Sequence, residues 1–281
     1  MGEFSENPNF DPSFVDDDAD IVLQSCDGIF YKMHKCILRT SSGFFRTMLS
    51  LPSSSSLPAA ASIDSIALDE RSCILGLLLR MVSGLEVPKW ACLDALEDVL
   101  YAAQKYDMPG PASTVRAITP LFLDQPLRLY ALAARHDWEE EAKFASRHTL
   151  NLSIHDKQHL PIMNHIPSAY LIRIIKLHRE RRDQFQRLIL QDSRCFGINK
   201  ACTHCGVPYK NGGLGHMVKC MVMSMDVRPS GSELVGGDWK KWIEAMNSCC
   251  GTCDASPPVH SYAESIQISV NLAIKSLPST I

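Results

Sequence analysis

Apolar and polar positions change their spacing along the chain, and the change divides it. Asp20-Ile-Val-Leu-Gln-Ser25 reads as a strand, Asp27-Gly28 supplies a pair that tolerates positive φ in a tight turn, and Ile29-Phe-Tyr-Lys-Met33 reads as the return strand. From His34 to Leu49 the apolar pairs Ile37/Leu38, Phe44/Phe45 and Met48/Leu49 are separated by Thr40, Ser41 and Ser42, any of which suits a helix N-cap; two short consecutive helices are predicted. A Ser/Pro/Ala-rich stretch from Pro52 reads as a loop, and a short strand follows near Ile66 to Leu68. Residues 71–83 place Cys73, Ile74, Leu77, Leu78 and Met81 on one helical face. Residues 93–107 do the same with Leu93, Leu96, Leu100 and Ala103, while Asp94, Glu97, Asp98 and Lys105 take the other faces and Met108-Pro109-Gly110 stops the helix.

Residues 112–190 keep a helical period and are divided by Pro120, Pro126, Pro161 and Pro167. Beyond Cys195 the helical pattern is intermittent, with helices expected around Trp239 to Met246 and Tyr262 to Ser276. The predicted organisation is a disordered acidic arm over residues 1–18, a mixed domain over 19–120, a helical region over 121–190 and a cysteine-rich region over 191–281.

Composition narrows the function. The 281 residues carry 28 Lys+Arg against 31 Asp+Glu, a formal charge of -3, and this balance argues against nucleic acid as the main partner, because phosphate binding leaves a basic footprint. The opening MGEFSENPNF lacks the basic and then apolar pattern of a signal peptide, and every apolar run is broken before the roughly 18 residues of a membrane span. A cytoplasmic or nuclear protein is expected. There are 11 cysteines, an odd number, and without a signal peptide reduced thiols are the default.

Strand, Asp-Gly turn, strand, His-Lys helix pair, strand, helix, helix is an order that resembles the BTB/POZ interaction domain. The residues that carry the resemblance are Asp20-Ile-Val-Leu, Phe30-Tyr-Lys-Met-His34-Lys35, Leu38, Ser41-Ser42, Phe44-Phe45, Met48-Leu49 and Ala102-Ala103-Gln-Lys105-Tyr106-Asp-Met108-Pro109, within residues 18–120. Pro126 to His136 and Glu140 to Ala145 are similar to the helical extension of a fungal branch of that family. The resemblance implies an α+β association domain that pairs with a second copy and docks other proteins, with no catalysis. It also nominates Asp20, His34 and Lys35 as partner-binding residues, since Asp20 and Lys35 match a charged pair that the family places in a groove near its dimer interface; a structural pair within one chain is the competing reading. Two departures count against family features: residues 1–18 do not supply the long helix that often precedes the first strand, and Ser50-Leu-Pro-Ser stands where cullin-recruiting members carry an apolar-x-Glu motif.

Seven of the cysteines lie between Cys195 and Cys253. Cys202/Cys205 and Cys250/Cys253 have the spacing with which two turns grip one structural Zn²⁺ through four thiolates. Cys202, Cys205, His216 and Cys220 form a competing set in the order of a zinc finger, and both sets share the first pair; free thiols that serve as small buried hydrophobes are the plain alternative. With 7 Lys/Arg against 6 Asp/Glu over residues 195–281, a metal there is expected to be structural and not part of a DNA reader. His155-Asp-Lys-Gln-His159 has zincin-like spacing, but Asp replaces the required Glu and Pro161 follows at once; surface histidines are the ordinary reading. The basic helix from Leu171 to Arg187 reads as a solvated face. The expectation is therefore an interaction scaffold without enzymatic activity, with a homodimer and other proteins as partners. The alternatives are a cullin ubiquitin-ligase adaptor or a zinc-containing transcriptional regulator.

Overall fold

The computed structural model describes residues 9–51, 65–192, 212–235 and 259–281. The chain forms two compact units, one ending at Leu121 and the other beginning at Phe122.

In the first unit, strand β1 (Ile21–Gln24) pairs antiparallel with β2 (Phe30–Met33), from Ile21 opposite Met33 to Gln24 opposite Phe30. The turn between them closes through Ser25 N–H donating to Ile29 O at 2.9 Å, and Gly28 takes φ +87°, which a side chain would resist. Strand β3 (Ser65–Ala67) adds to the other edge of β1 in parallel, giving the order β2-β1-β3. A parallel partner cannot be reached by a hairpin, and helices α1 (Lys35–Ser41) and α2 (Gly43–Met48) lie in the crossover. Ile21, Val22 and Leu23 are all buried, so the central strand is covered on both faces.

The expectation of a mobile arm over residues 1–18 fails for residues 9–18. Phe10 bridges Phe30 in parallel, Phe30 N–H donates to Asn9 O and Lys32 N–H to Phe14 O, and Phe14 is buried edge-on against Tyr31. The edge of β2 presents backbone groups that need partners, and this segment supplies them. The signal in the sequence is two aromatics four positions apart, Phe10 and Phe14, just ahead of the acidic run at Asp16–Asp18.

Ser42 caps α2 as its sequence suggests: its Oγ accepts Phe45 N–H at 3.0 Å and donates to Tyr106 O at 2.5 Å. Helix α3 (Ser72–Val82) buries Ile74, Leu75, Leu78 and Leu79, so its core face is turned from the predicted one and Cys73 is exposed. Helix α4 (Leu93–Lys105) buries the predicted Leu93, Leu96, Leu100 and Ala103, along with Val99 and Ala102. It stops at Asp107, whose φ of +49° is left-handed, and Pro109 starts the next helix, α5 (Pro109–Ile118), in place of merely ending the last one.

The second unit is helical. Helix α6 (Pro126–Arg135) packs on α7 (Glu139–Thr149) and buries residues nearly all round, as a core helix does. A one-turn α8 (Leu160–Met163) precedes the long α9 (Ser168–Gln191). On α9 the buried residues include Ile174, Leu177, His178, Arg181, Phe185 and Ile189, whereas Ile175 and Leu188 are exposed. Helix α10 (Gly212–Val227) was not foreseen; Met217, Met221 and Met225 form its buried stripe at spacings of four. A short α11 (Ser232–Val235) and α12 (Val259–Ser276) complete the unit, and α12 matches the expected C-terminal helix. Leu234, Ile266, Val270, Ala273, Ile274 and Leu277 join the methionines, Phe185 and Ile189 in one core.

Candidate interaction surface

Asp20, His34 and Lys35 meet at one corner, where β2 runs into α1. Asp20 N–H donates to Met33 O at 3.2 Å, and its Oδ1 accepts the backbone N–H of Lys35 at 2.6 Å. That N–H belongs to the first residue of α1 and has no acceptor within its own helix, so the carboxylate of Asp20, just before β1, satisfies it. His34 Nε2 lies 3.0 Å from Asp16 Oδ2, and Lys32 Nζ lies 2.6 Å from Asp17 Oδ1. Asp16 is held below the usual carboxylate range, first by the Asp18 backbone N–H and then by His34. The corner thus ties the N-terminal segment to β2 and to the start of α1.

Apolar side chains remain exposed on this unit. Phe44 is 42% exposed although its neighbour Phe45 is buried, and its ring sits edge-on to Phe45 at 5.3 Å and to Tyr106 at 5.4 Å. Tyr101 is 70% exposed on α4, on the same side as Asp94, Glu97 and Lys105. Val15, Leu51 and Leu85 add further exposed apolar surface. Below Phe44, Tyr106 donates its hydroxyl to Glu70, whose other oxygen takes Lys105 Nζ at 2.8 Å; Asp69 takes the same ammonium at 3.0 Å. Burial and then Glu70 raise the Tyr106 phenol above its ordinary value, keeping it a neutral donor. A ring half-held by two others over a fixed polar network is presented rigidly, which suits docking.

A model of the BTB/POZ domain family matches residues 12–119. The chain carries a BTB/POZ domain. Its match begins inside the segment that packs along β2, so that segment belongs to the domain. Comparison with curated proteins finds no match. The BTB/POZ fold with a small sheet among helices agrees with the α+β class read from the sequence. BTB/POZ domains are protein-interaction domains, so protein partners follow. No helix among the described residues is long and apolar enough to cross a membrane.

Sequence reasoning missed Tyr101 as a feature of the BTB/POZ surface. Its signal was a large ring on the polar stripe of an amphipathic helix, where burial gives no reason for one. Asp27 was read only as a turn residue, yet its carboxylate reaches the start of α3: Oδ1 accepts Ser72 N–H at 2.8 Å and Oδ2 accepts the Ser72 hydroxyl at 2.6 Å.

Outside the BTB/POZ domain, the zincin-like reading does not survive. His155 is exposed and precedes a single 3₁₀ turn, Lys157–His159, so the two histidines do not occupy successive turns of one α-helix. Among the described residues no group of three or more His, Cys, Asp or Glu is placed to hold a metal. Cys202, Cys205, Cys250 and Cys253 lie outside the described residues. Cys26, Cys36, Cys73 and Cys92 are free and exposed.

Proposed function

We propose that this protein is an interaction scaffold whose BTB/POZ domain joins it to a second copy of itself and to other proteins, without making or breaking covalent bonds. The observation that carries the reading is the family match over residues 12–119. The exposed aromatics support it: Phe44 and Tyr101 offer large rigid contact area at low entropic cost, and residues of this kind anchor protein interfaces. Sedimentation equilibrium of the full chain at micromolar concentration tests self-association. The expected species has twice the chain mass, and a strictly monomeric chain would refute the homodimer. Affinity capture followed by competition with the isolated partner then identifies the heterologous arm.

A further inference from the structure

Helix α9 is 24 residues long and buries Ile174, Leu177, Arg181, Phe185 and Ile189 on one side. On the opposite side Ile172, Ile175, Arg179, Asp183, Gln186 and Leu190 follow one another at spacings of three and four and so form a single stripe. Ile172 is 64% exposed and Leu190 57%, which leaves an apolar side chain in water near each end of the helix. Between them lies a charged centre, where Arg179 Nε and Asp183 Oδ2 are 3.6 Å apart.

The stripe is symmetric about position 181, with Ile172 and Leu190 nine positions to either side and Arg179 and Asp183 two. Two copies of α9 laid antiparallel about a two-fold axis at that level therefore bring Ile172 of each level with Leu190 of the other, and Arg179 of each level with Asp183 of the other. Lys176 comes level with the uncharged Gln186 and keeps its own partner in Glu180 at 3.6 Å. Arg187 stands at the rim, where a long side chain holds its charge in water. An acidic ligand fits this face less well than a second copy does, because Glu180 and Asp183 already stand among its cations.

We infer that α9 is a self-association surface that pairs antiparallel with α9 of a second copy, through Ile172–Leu190 contacts at its ends and crossed Arg179–Asp183 pairs at its centre. The apolar ends, about 27 Å apart, supply contact area, and the charges set the register. A slip of one turn, or a parallel arrangement, sets like charges against each other at position 179 or 183. This surface lies in the second unit and does not rest on the self-association proposed for the BTB/POZ domain.

The test uses the full chain with a photoreactive benzophenone side chain in place of Leu190, incubated to exchange with an equal amount of ¹⁵N-labelled chain and then irradiated. Mass spectrometry is expected to find mixed-isotope products that link position 190 of one copy to the peptide around Ile172 of the other. No mixed-isotope product, or one that maps away from residues 168–176, would overturn the inference. Arg179→Asp sets acids, and Asp183→Arg sets bases, against their own kind, so each variant alone is expected to cross-link about tenfold less than the parent. The two variants mixed are expected to recover the parental yield, since every acid then meets a base, and a mixture no better than either variant would also overturn the pairing. These positions lie on the surface, and Arg182, which bonds Asp183, keeps Asp226 at 2.7 Å, so neither variant threatens the fold. The cross-link reads position and not mass, so a dimer held only by the BTB/POZ domain gives no such product and failure of one surface is told from failure of the other.

Discussion

The Thr149 hydroxyl accepts a hydrogen bond from Nε2 of His178 at 3.1 Å. Thr149 has one proton to give and donates it to Ser146 O at 2.7 Å, so the imidazole must be the donor in the pair. His178 is only 5% exposed, and its pKa is pushed down to about 4, first by burial and then by the electrostatic influence of His155 and Arg181. A neutral imidazole with its proton on Nε2 is the form that this site holds.

The second unit is therefore expected to weaken in mild acid. Between pH 6.5, the ordinary histidine value, and about 4, the unfolded chain takes up a proton that the folded chain refuses. The stability from a neutral His178 is fully present above 6.5 and is lost as pH falls towards 4, a change of about 3 kcal/mol. His178→Gln keeps a donor for Thr149 and removes the titration. Urea unfolding at pH 7 and pH 5, read by hydrogen exchange on α7 and α9, is expected to show a smaller pH difference in the variant than in the parent. Equal differences would rule out His178 as the source.

Asp27 joins two elements far apart in sequence, and its loss is expected to loosen the start of α3. Its carboxyl is held down at about 2, chiefly by the Ser25 hydroxyl and then by the Ser72 hydroxyl. The lowered value means that its contribution is present above pH 3.8 and disappears as pH falls towards 2. Asp27→Ala is expected to cost about 0.5–1 kcal/mol at neutral pH, at the low end for a helix cap because the carboxylate is exposed. Amide exchange at Ser72 and Cys73 is the local readout, and unchanged protection there would contradict the capping role.

What the sequence revealed of this fold follows the range of the forces involved. The Asp27-Gly28 turn, the Ser42 cap and the Leu93/Leu96/Leu100/Ala103 stripe are set by neighbours a few residues away, and each was legible. The packing of Phe10 and Phe14 along β2 was not, because it depends on the free edge of β2, which exists only once β1 and β2 have paired. Helix α10 was hidden by Gly212, Gly213 and Gly215, whose low propensity is outweighed by burial of three methionines. The corner of Asp20, His34 and Lys35 was legible as a set of residues. That Asp20 accepts the Lys35 backbone N–H is a matter of where α1 begins.

Tyr101 separates surface function from stability. Its ring is exposed, so Tyr101→Ser is expected to change stability by less than about 0.5 kcal/mol. If the ring anchors a partner, the same substitution raises the dissociation constant by about thirtyfold or more, the effect of losing a hot-spot aromatic. Thermal unfolding checks the first expectation and binding titration against a captured partner the second. Full affinity in the variant would move the docking surface elsewhere on the domain.

Arg181 holds three helices of the second unit together without a carboxylate among its hydrogen-bond acceptors. The guanidinium is 4% exposed and donates from Nε to Pro229 O at 2.7 Å and from Nη1 to Leu277 O and Pro278 O at 3.4 and 2.5 Å. Pro229 lies just past α10, and Leu277 and Pro278 just past α12, so a cation on α9 meets the negative ends of two helix dipoles. Burial lowers its pKa, yet arginine stays charged far above neutral pH, which a lysine buried here would not. Arg181→Met is expected to leave these carbonyls without their donor and to cost roughly 2–5 kcal/mol. Arg181→Lys restores less than half of that, because an ammonium lacks the planar fork that serves separated acceptors at once. Deleting residues 277–281 removes two of the acceptors from the other side and is expected to raise exchange in the same α9, α10 and α12 amides. Unchanged exchange in both the methionine variant and the truncation would show that the apolar core alone fixes these helices.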